Sequence, residues 1–397
     1  MKKNIVFVLP NLGAGGGEKS LINVLNTIDY SLYNVDLIVF HKSGLFLQSV
    51  PQQVTLLEIP GYYQIFKLGL FKASLLFLKQ FQFQLFYNRL QFALTNILVK
   101  NKAVAEQNNW KYIASAIPQF TKKYDAAIGF LEKSSIYLVT DKISATTKIG
   151  WIHTNYSSSG MNVNFDAVKF SKLKYIVTVS IECQADLIAN FPFFQSKIKL
   201  IHNIVSPVLI NEMASKTVGI ESFTATNLLV TVARLSPEKG IDLALEAAKI
   251  LKEKQVDFQW VIIGDGVERE NVTTKIATYN LKGTFILLGL KQNPYPFIAK
   301  ATVYVQPSRY EGKSLAIDEA KILLKPIIVT NYPSAKDQIK TSVNGLIAQI
   351  NAVAISDAIL ELLKNDTLRK QFSINLKKED LSTTTEIDKL YTLINEA

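Results

Sequence analysis

The stretch Ser308-Arg-Tyr-Glu-Gly-Lys-Ser-Leu-Ala-Ile-Asp-Glu319 places two glutamates, Glu311 and Glu319, eight residues apart. It follows a strand-like run, Ala301 to Gln306, that Pro307 stops. Gly312 permits a tight turn, and Ser314 is placed to cap a helix running to about Leu324. A loop that opens a helix in this way presents free backbone N–H groups and the positive end of the helix dipole, so it can hold a phosphate. The two flanking carboxylates can accept hydrogen bonds from hydroxyls. One loop can therefore grip both parts of a sugar nucleotide.

Working outward, Thr231-Val-Ala-Arg-Leu-Ser-Pro-Glu-Lys-Gly240 is an apolar strand end followed by a loop carrying Arg234 and Lys239. An arginine offers a planar fork to phosphate oxygens and a lysine a mobile point charge, so the pair suits a diphosphate. Val261-Ile-Ile-Gly-Asp-Gly266, the strand Phe285 to Gly289, Lys325-Pro-Ile-Ile-Val-Thr330 and Asn344-Gly-Leu346 complete the series. Together these motifs resemble, in order, family 4 retaining glycosyltransferases of the GT-B fold, with Glu311 and Glu319 as the E-x7-E signature. The resemblance covers most of the chain from about Leu228 to Ile350.

Short apolar runs alternate with helix-period segments throughout, the pattern of parallel α/β sheets. Asn4–Leu9, Val35–Phe40, Val54–Ile59, Ala126–Phe130, Lys148–Ile152 and Tyr175–Val179 read as strands of a first doubly wound domain. Asn227–Ala233, Gln259–Ile263, Thr284–Leu288, Val303–Gln306 and Pro326–Thr330 read as those of a second. The expected architecture is α/β, two Rossmann-like domains facing a central cleft, as the resemblance implies. The first is expected over 1–205, completed by 385–397 if the last helix, Glu386 to Asn395, returns to it. The second, nucleotide-sugar-binding domain is expected over 206–384, with the boundary between Asn203 and Thr226.

The 397 residues are 48% hydrophobic and 19% charged, a globular composition. The one cysteine, Cys183, excludes an intramolecular disulfide and fits a reducing, cytoplasmic compartment. The apolar run Ile5–Leu9 is too short for a signal peptide, and no segment approaches the ~18 apolar residues of a membrane span. The net charge of +11 is concentrated in residues 1–200, which hold 21 Lys/Arg against 11 Asp/Glu. With no zinc-ligand pattern, RNP-like strand or Arg-rich arm, this charge does not read as nucleic-acid binding. It suits an anionic membrane surface, and the basic, aromatic segment Tyr62 to Lys100 has two readings. Its aromatics are either core-facing on helices or interfacial on lipid.

Asn11-Leu-Gly-Ala-Gly-Gly-Gly-Glu-Lys-Ser20 follows the first strand, and its glycines allow close backbone approach to a ligand. A full G-x-G-x-x-G is absent and no acid ends the second strand, so NAD binding is not expected. Gly16 and Gly17 resemble the family's first glycine loop, which implies that they line the site. By the same resemblance Arg234 and Lys239 clamp the donor diphosphate with the helix start at Ser314–Leu315. Glu311 then contacts the donor sugar and Glu319 the ribose, while His153 corresponds to a histidine near that sugar. The chain departs from the family at Lys313-Ser314, where Lys313 either joins the diphosphate or points to water.

No Asp-x-Asp pair and no metal-ligand spacing occurs in the sequence, so no divalent ion and no cofactor is expected. The resemblance implies a nucleotide-sugar donor, UDP-linked, and a hydroxyl acceptor on a lipid-linked saccharide of a bacterial surface glycan such as capsule or exopolysaccharide. A soluble glucosyltransferase acting on a small molecule or protein, and a non-catalytic partner of the same fold, are the competing readings.

Overall fold

The computed structural model describes residues 2–216 and 223–396. Residues 217–222, inside the stretch expected to hold the domain boundary, lie outside the described residues. The chain divides into two compact units, one of residues 1–13, 17–202 and 386–397 and the other of residues 14–16 and 203–385.

The first unit holds seven strands: β1 (Lys3–Leu9), β2 (Tyr33–Val39), β3 (Val54–Glu58), β4 (Lys123–Gly129), β5 (Ser144–Ile152), β6 (Tyr175–Thr178) and β7 (Ile198–Leu200). They pair in parallel in the order β3-β2-β1-β4-β5-β6-β7. The last helix, Glu386–Asn395, belongs to this unit. Tyr391 stacks on Tyr33 at 5.0 Å and its hydroxyl accepts from the Asp29 N–H, while Glu396 accepts from the Tyr175 hydroxyl at 2.6 Å.

The second unit holds β8 (Leu228–Val232), β9 (Gln259–Ile263), β10 (Phe285–Gly289), β11 (Val303–Gln306), β12 (Ile327–Thr330) and β13 (Leu346–Ala348). These too are parallel, in the order β10-β9-β8-β11-β12-β13. Side chains leave alternate faces of this sheet into two separate cores. Leu229, Trp260, Ile262, Val305 and Ile328 join one, and Val230, Val261, Ile263, Tyr304 and Val329 join the other. A sheet buried on both faces needs apolar residues at every position, which is why its strands read as unbroken apolar runs. The helix Ile241–Glu253 seals one face by burying Ile241, Ala244, Leu245, Ala248 and Leu251, one stripe at helical spacing.

The GT-B class expected from the motifs is the architecture found. β7 and β13 are the strands that apolar patterning missed. Each has three residues, too few for a periodicity to register, and each lies at a sheet edge. In both sheets the strand order reverses beside the first strand, between β1 and β4 and between β8 and β11. Loops leaving the carboxyl ends at such a reversal diverge to opposite faces and leave room for a ligand. The loops after β8 and β11 carry Arg234, Lys239 and Glu311.

Candidate functional site

In the second unit three loops pack backbone to backbone at the carboxyl ends of β8, β9 and β11. After β8 the chain makes a short 3-10 turn, Pro237–Lys239, closed by Gly240 at φ 64°. A Cβ on Gly240 would lie 2.0 Å from the Pro307 carbonyl oxygen, and one on Gly264 only 1.9 Å from that of Ala233. Arg309 ties the same loops together. Its guanidinium grips both oxygens of Asp242 at 2.8 and 2.7 Å, and also donates to the Pro237 carbonyl. Those hydrogen bonds hold the Asp242 carboxyl below its ordinary pKa. Gly240→Ala is therefore expected to destabilise the fold by about 3 kcal/mol through positive φ and backbone overlap, measured by urea unfolding. A loss below about 1 kcal/mol would show that the loops separate freely.

This packing brings Lys239 to Glu311, with Nζ 2.6 Å from Oε2. The other carboxylate oxygen accepts from the Ser308 hydroxyl at 2.7 Å and from Gln306 Nε2 at 3.2 Å. Tyr304, whose hydroxyl donates to Gln306 Oε1 at 2.7 Å, orients that amide. Ser334 donates to the Glu311 carbonyl at 2.9 Å. Glu311 is thus buried, charge-paired and held from three sides. Of these partners only Lys239 was singled out from sequence; Ser308, Gln306, Tyr304 and Ser334 are ordinary residues whose partners are defined only by the fold.

Arg234 shares the loop with Lys239 but is exposed, and its guanidinium has no hydrogen bond or ion pair among the described residues. Glu319 sits on the helix Leu315–Ile322 with 1% exposure, and its Oε1 accepts from the Tyr295 hydroxyl at 3.1 Å. Ser314 occupies the N-cap position, but its side chain makes no capping bond, contrary to expectation. Gln338 takes over the junction instead. It accepts from the Ser314 N–H at 3.0 Å and donates to the Ser314 carbonyl at 2.8 Å. The N–H groups of Leu315 and Ala316 begin the helix, where no intrahelical acceptor exists for them. Lys313 neither reaches water freely nor stands alone; it is largely buried, 3.8 Å from Asp318.

Of the remaining expected residues, Gly17 and His153 belong to the first unit and Gly16 to the second. Gly16 and Gly17 open the helix Gly16–Thr27 after β1. An added Cβ on Gly17 would meet Leu131 Cδ2 at 2.6 Å, whereas Gly16 has open space. His153 follows β5, its ring 4.9 Å from Phe130 and stacked on Trp151 at 5.9 Å. Burial pushes its pKa down to about 3, opposed by a hydrogen bond to the Phe130 backbone. Its Nε2 is buried with no hydrogen-bond partner. Glu132, not singled out from sequence, accepts from the backbone N–H groups of both His153 and Thr154, and burial raises its pKa. Among the described residues no cluster of His, Cys, Asp or Glu could hold a metal ion.

An unfolded histidine binds its proton near pH 6.5, whereas native His153 stays neutral to about pH 3. The unfolded state therefore binds more protons across that window, and the contribution of His153 to stability is lost as pH falls through it. His153→Asn should flatten the fall in urea stability between roughly pH 6.5 and 4 relative to the parent chain. Parallel curves would show that the imidazole is solvated.

Residues 218–379 match the family model of glycosyl transferases group 1. The second unit carries a group 1 glycosyl transferase domain. Its relatives include the poly(ribitol-phosphate) alpha-N-acetylglucosaminyltransferase of Staphylococcus aureus, 28% identical over 44% of this chain and 36% of that protein. The chain thus spans little more than a third of that relative's length. A Campylobacter jejuni protein matches over 94% of this chain and 92% of its own length at 23% identity. That protein is named a GalNAc-alpha-(1->4)-GalNAc-alpha-(1->3)-diNAcBac-PP-undecaprenol alpha-1,4-N-acetyl-D-galactosaminyltransferase. Among solved structures, Anabaena HepE in complex with UDP and glucose superposes over 100% of both chains with a TM-score of 0.71 at 14% identity. That likeness extends the GT-B fold over both units. Within the group 1 domain, every residue of the Arg234, Lys239, Glu311, Ser314, Leu315 and Glu319 set lies in the matched span.

Proposed function

We propose that the chain is a retaining glycosyltransferase that moves a sugar from a UDP-linked donor to a hydroxyl of a lipid-linked surface-glycan intermediate. The observation that carries this reading is the Lys239–Glu311 pair, held at the strand-order reversal of a group 1 domain beside an exposed Arg234 that is unpaired among the described residues. A departing nucleoside diphosphate gains negative charge while the sugar becomes oxocarbenium-like. Arg234, Lys239 and the Leu315 N–H, at the helix start beside Ser314, are the donors for that charge, preorganised by the loop packing described above. Glu311 accepts from sugar hydroxyls and anchors Lys239, and Glu319 is assigned to the ribose. His153, neutral throughout the physiological range, serves as an acceptor for a substrate hydroxyl rather than as a proton carrier. Gly16 and Gly17 let the backbone approach the substrate.

The UDP assignment draws support from the nucleotide bound to HepE, and the acceptor assignment from the undecaprenol-linked substrate in the Campylobacter relative's name. Among the described residues no carboxylate is assigned as a covalent nucleophile. Departure and attack are therefore assigned to the same face of the sugar, with retention of configuration and no obligatory divalent ion. The work is placed on the cytoplasmic side of the cell membrane.

The test is nucleotide release by the purified protein from a panel of UDP-, GDP- and ADP-sugars, with and without undecaprenol-diphosphate saccharides, in the presence of a chelator. Acceptor-dependent turnover of one UDP-sugar giving a product of unchanged anomeric configuration is expected. Inversion would overturn the mechanism, turnover of soluble acceptors alone would overturn the acceptor class, and absence of nucleotide binding would remove the donor site.

A further inference from the structure

Four helices, Tyr63–Phe66, Leu70–Lys79, Phe83–Leu98 and Lys102–Ser115, stand between β3 and β4. They share a small core of Phe66, Ala73, Phe77 and Leu85. Arg89 is part of that interior, donating to the Leu68 carbonyl at 3.0 Å and lying over the Phe66 and Phe92 rings. The two middle helices form a hairpin that is apolar on its outer side as well. On the first, Phe71, Leu75 and Leu78 are exposed at i, i+4 and i+7, one continuous stripe, with Phe71 90% exposed. On the second, Phe83, Tyr87, Leu94 and Leu98 repeat the pattern. At the turn, Phe81 is 78% exposed with its ring edge-on to Phe83 at 6.3 Å.

Isolated exposed apolar residues are ordinary, but contiguous stripes on both arms of a hairpin mark an interaction surface. Charge identifies what it meets. Residues 59–105 contain six Lys/Arg and no Asp or Glu. Five of the six, Lys67, Lys72, Lys79, Lys100 and Lys102, are exposed, and Lys72 and Lys79 border the first stripe at helical spacing. A second copy of this surface would bring like charges together, and an apolar protein groove would leave the lysines unmatched. An anionic bilayer satisfies both features, since rings enter the headgroup boundary while ammonium groups meet lipid phosphates. The longer helix has 16 residues, about 24 Å, short of a hydrocarbon core of roughly 30 Å. No helix among the described residues is long and apolar enough to cross a membrane. The hairpin lies on the bilayer rather than through it.

We propose that the hairpin Leu70–Leu98 docks the protein on an anionic lipid bilayer, with Phe71, Leu75, Phe81 and Phe83 in the headgroup boundary and Lys72 and Lys79 on lipid phosphates. The inference does not depend on the sugar-transfer reading; it supplies that reading with the surface on which a lipid-linked acceptor is met.

Co-sedimentation of the full chain with phosphatidylcholine vesicles, with and without phosphatidylglycerol, tests it alongside Phe71→Ser/Phe81→Ser and Lys72→Gln/Lys79→Gln. All four side chains are exposed, so the variants keep the fold; a matched thermal transition and unaltered UDP binding check this. The parent chain is expected on the anionic vesicles and to be released by salt. The lysine pair should weaken binding about 25-fold, roughly fivefold for each charge. The phenylalanine pair should weaken it at least about tenfold. Equal binding to both vesicle types, or anionic binding unchanged in both variants, would overturn the proposal. So would a concentration-dependent dimer abolished by the phenylalanine pair in a chain that ignores vesicles, which would assign the stripe to a second copy. Loss of UDP binding in every chain would instead count against the donor site and leave the docking result standing.

Discussion

Glu311→Ala should abolish measurable sugar transfer and at the same time lower the stability of the second unit by about 3 kcal/mol. The stability loss follows from what the carboxylate holds. Its removal strands the Lys239 ammonium and leaves the Ser308 hydroxyl and Gln306 amide without their acceptor, in a site where the Glu311 side chain is only 7% exposed. Breaking a buried pair by removing one partner leaves an uncompensated charge, a larger cost than the pair's net contribution. Lys239 keeps 22% exposure and can turn partly to water, which limits the penalty. Glu311→Gln separates the two effects. The amide retains the volume and one acceptor, so stability should fall by no more than about 1–2 kcal/mol, while turnover still falls at least about 100-fold. Urea unfolding read beside turnover of the donor decides the matter. A glutamine variant with parental turnover would leave Glu311 a structural residue and move the chemistry elsewhere.

Arg234→Ala should do the reverse, costing about 100- to 1,000-fold in turnover and leaving stability within about 0.5 kcal/mol. Its guanidinium is exposed and unpaired among the described residues, so folding has little invested in it. A cation held free at the end of β8, one short loop from Lys239, is available for charge that appears only when a diphosphate departs. Arg234→Lys should recover part of the loss, since it restores a charge but not the planar fork. The readout is kcat and KM for the UDP-sugar together with the unfolding midpoint. A fall in stability matching the fall in activity would show that Arg234 supports the loop rather than the leaving group.

The two variants contrast because of how each residue is held, and that contrast was invisible before folding. Arg234, Lys239 and Glu311 stood out in the sequence as charges at turns after apolar strands, and Glu319 as the second glutamate of the E-x7-E spacing. Nothing local distinguished the exposed Arg234 from the paired Lys239, whose partner is 72 residues away. The capping bond read for Ser314 is not made; Gln338, 24 residues on in the short helix Ala335–Gln338, holds the junction instead, because its amide reaches both backbone groups of Ser314 at once. Glu132 escaped notice for a similar reason. A lone glutamate after a strand has no pattern, and its two backbone donors come from the loop after β5.

The sequence by itself determined the strands of both sheets except the three-residue edge strands β7 and β13, their parallel class and the order of the motifs. Those follow from local rules: apolar runs for strands buried on both faces, helical stripes between them, glycine and proline at the turns. Tertiary structure alone decided which aromatics of Tyr62–Lys100 are core and which are surface. Phe66 and Phe77 went inward, while Phe71, Phe81 and Phe83 stayed out. It alone also placed Glu311 against Lys239. Both outcomes depend on packing between segments far apart in the chain, where contact is set by strand order and loop direction rather than by neighbours in sequence.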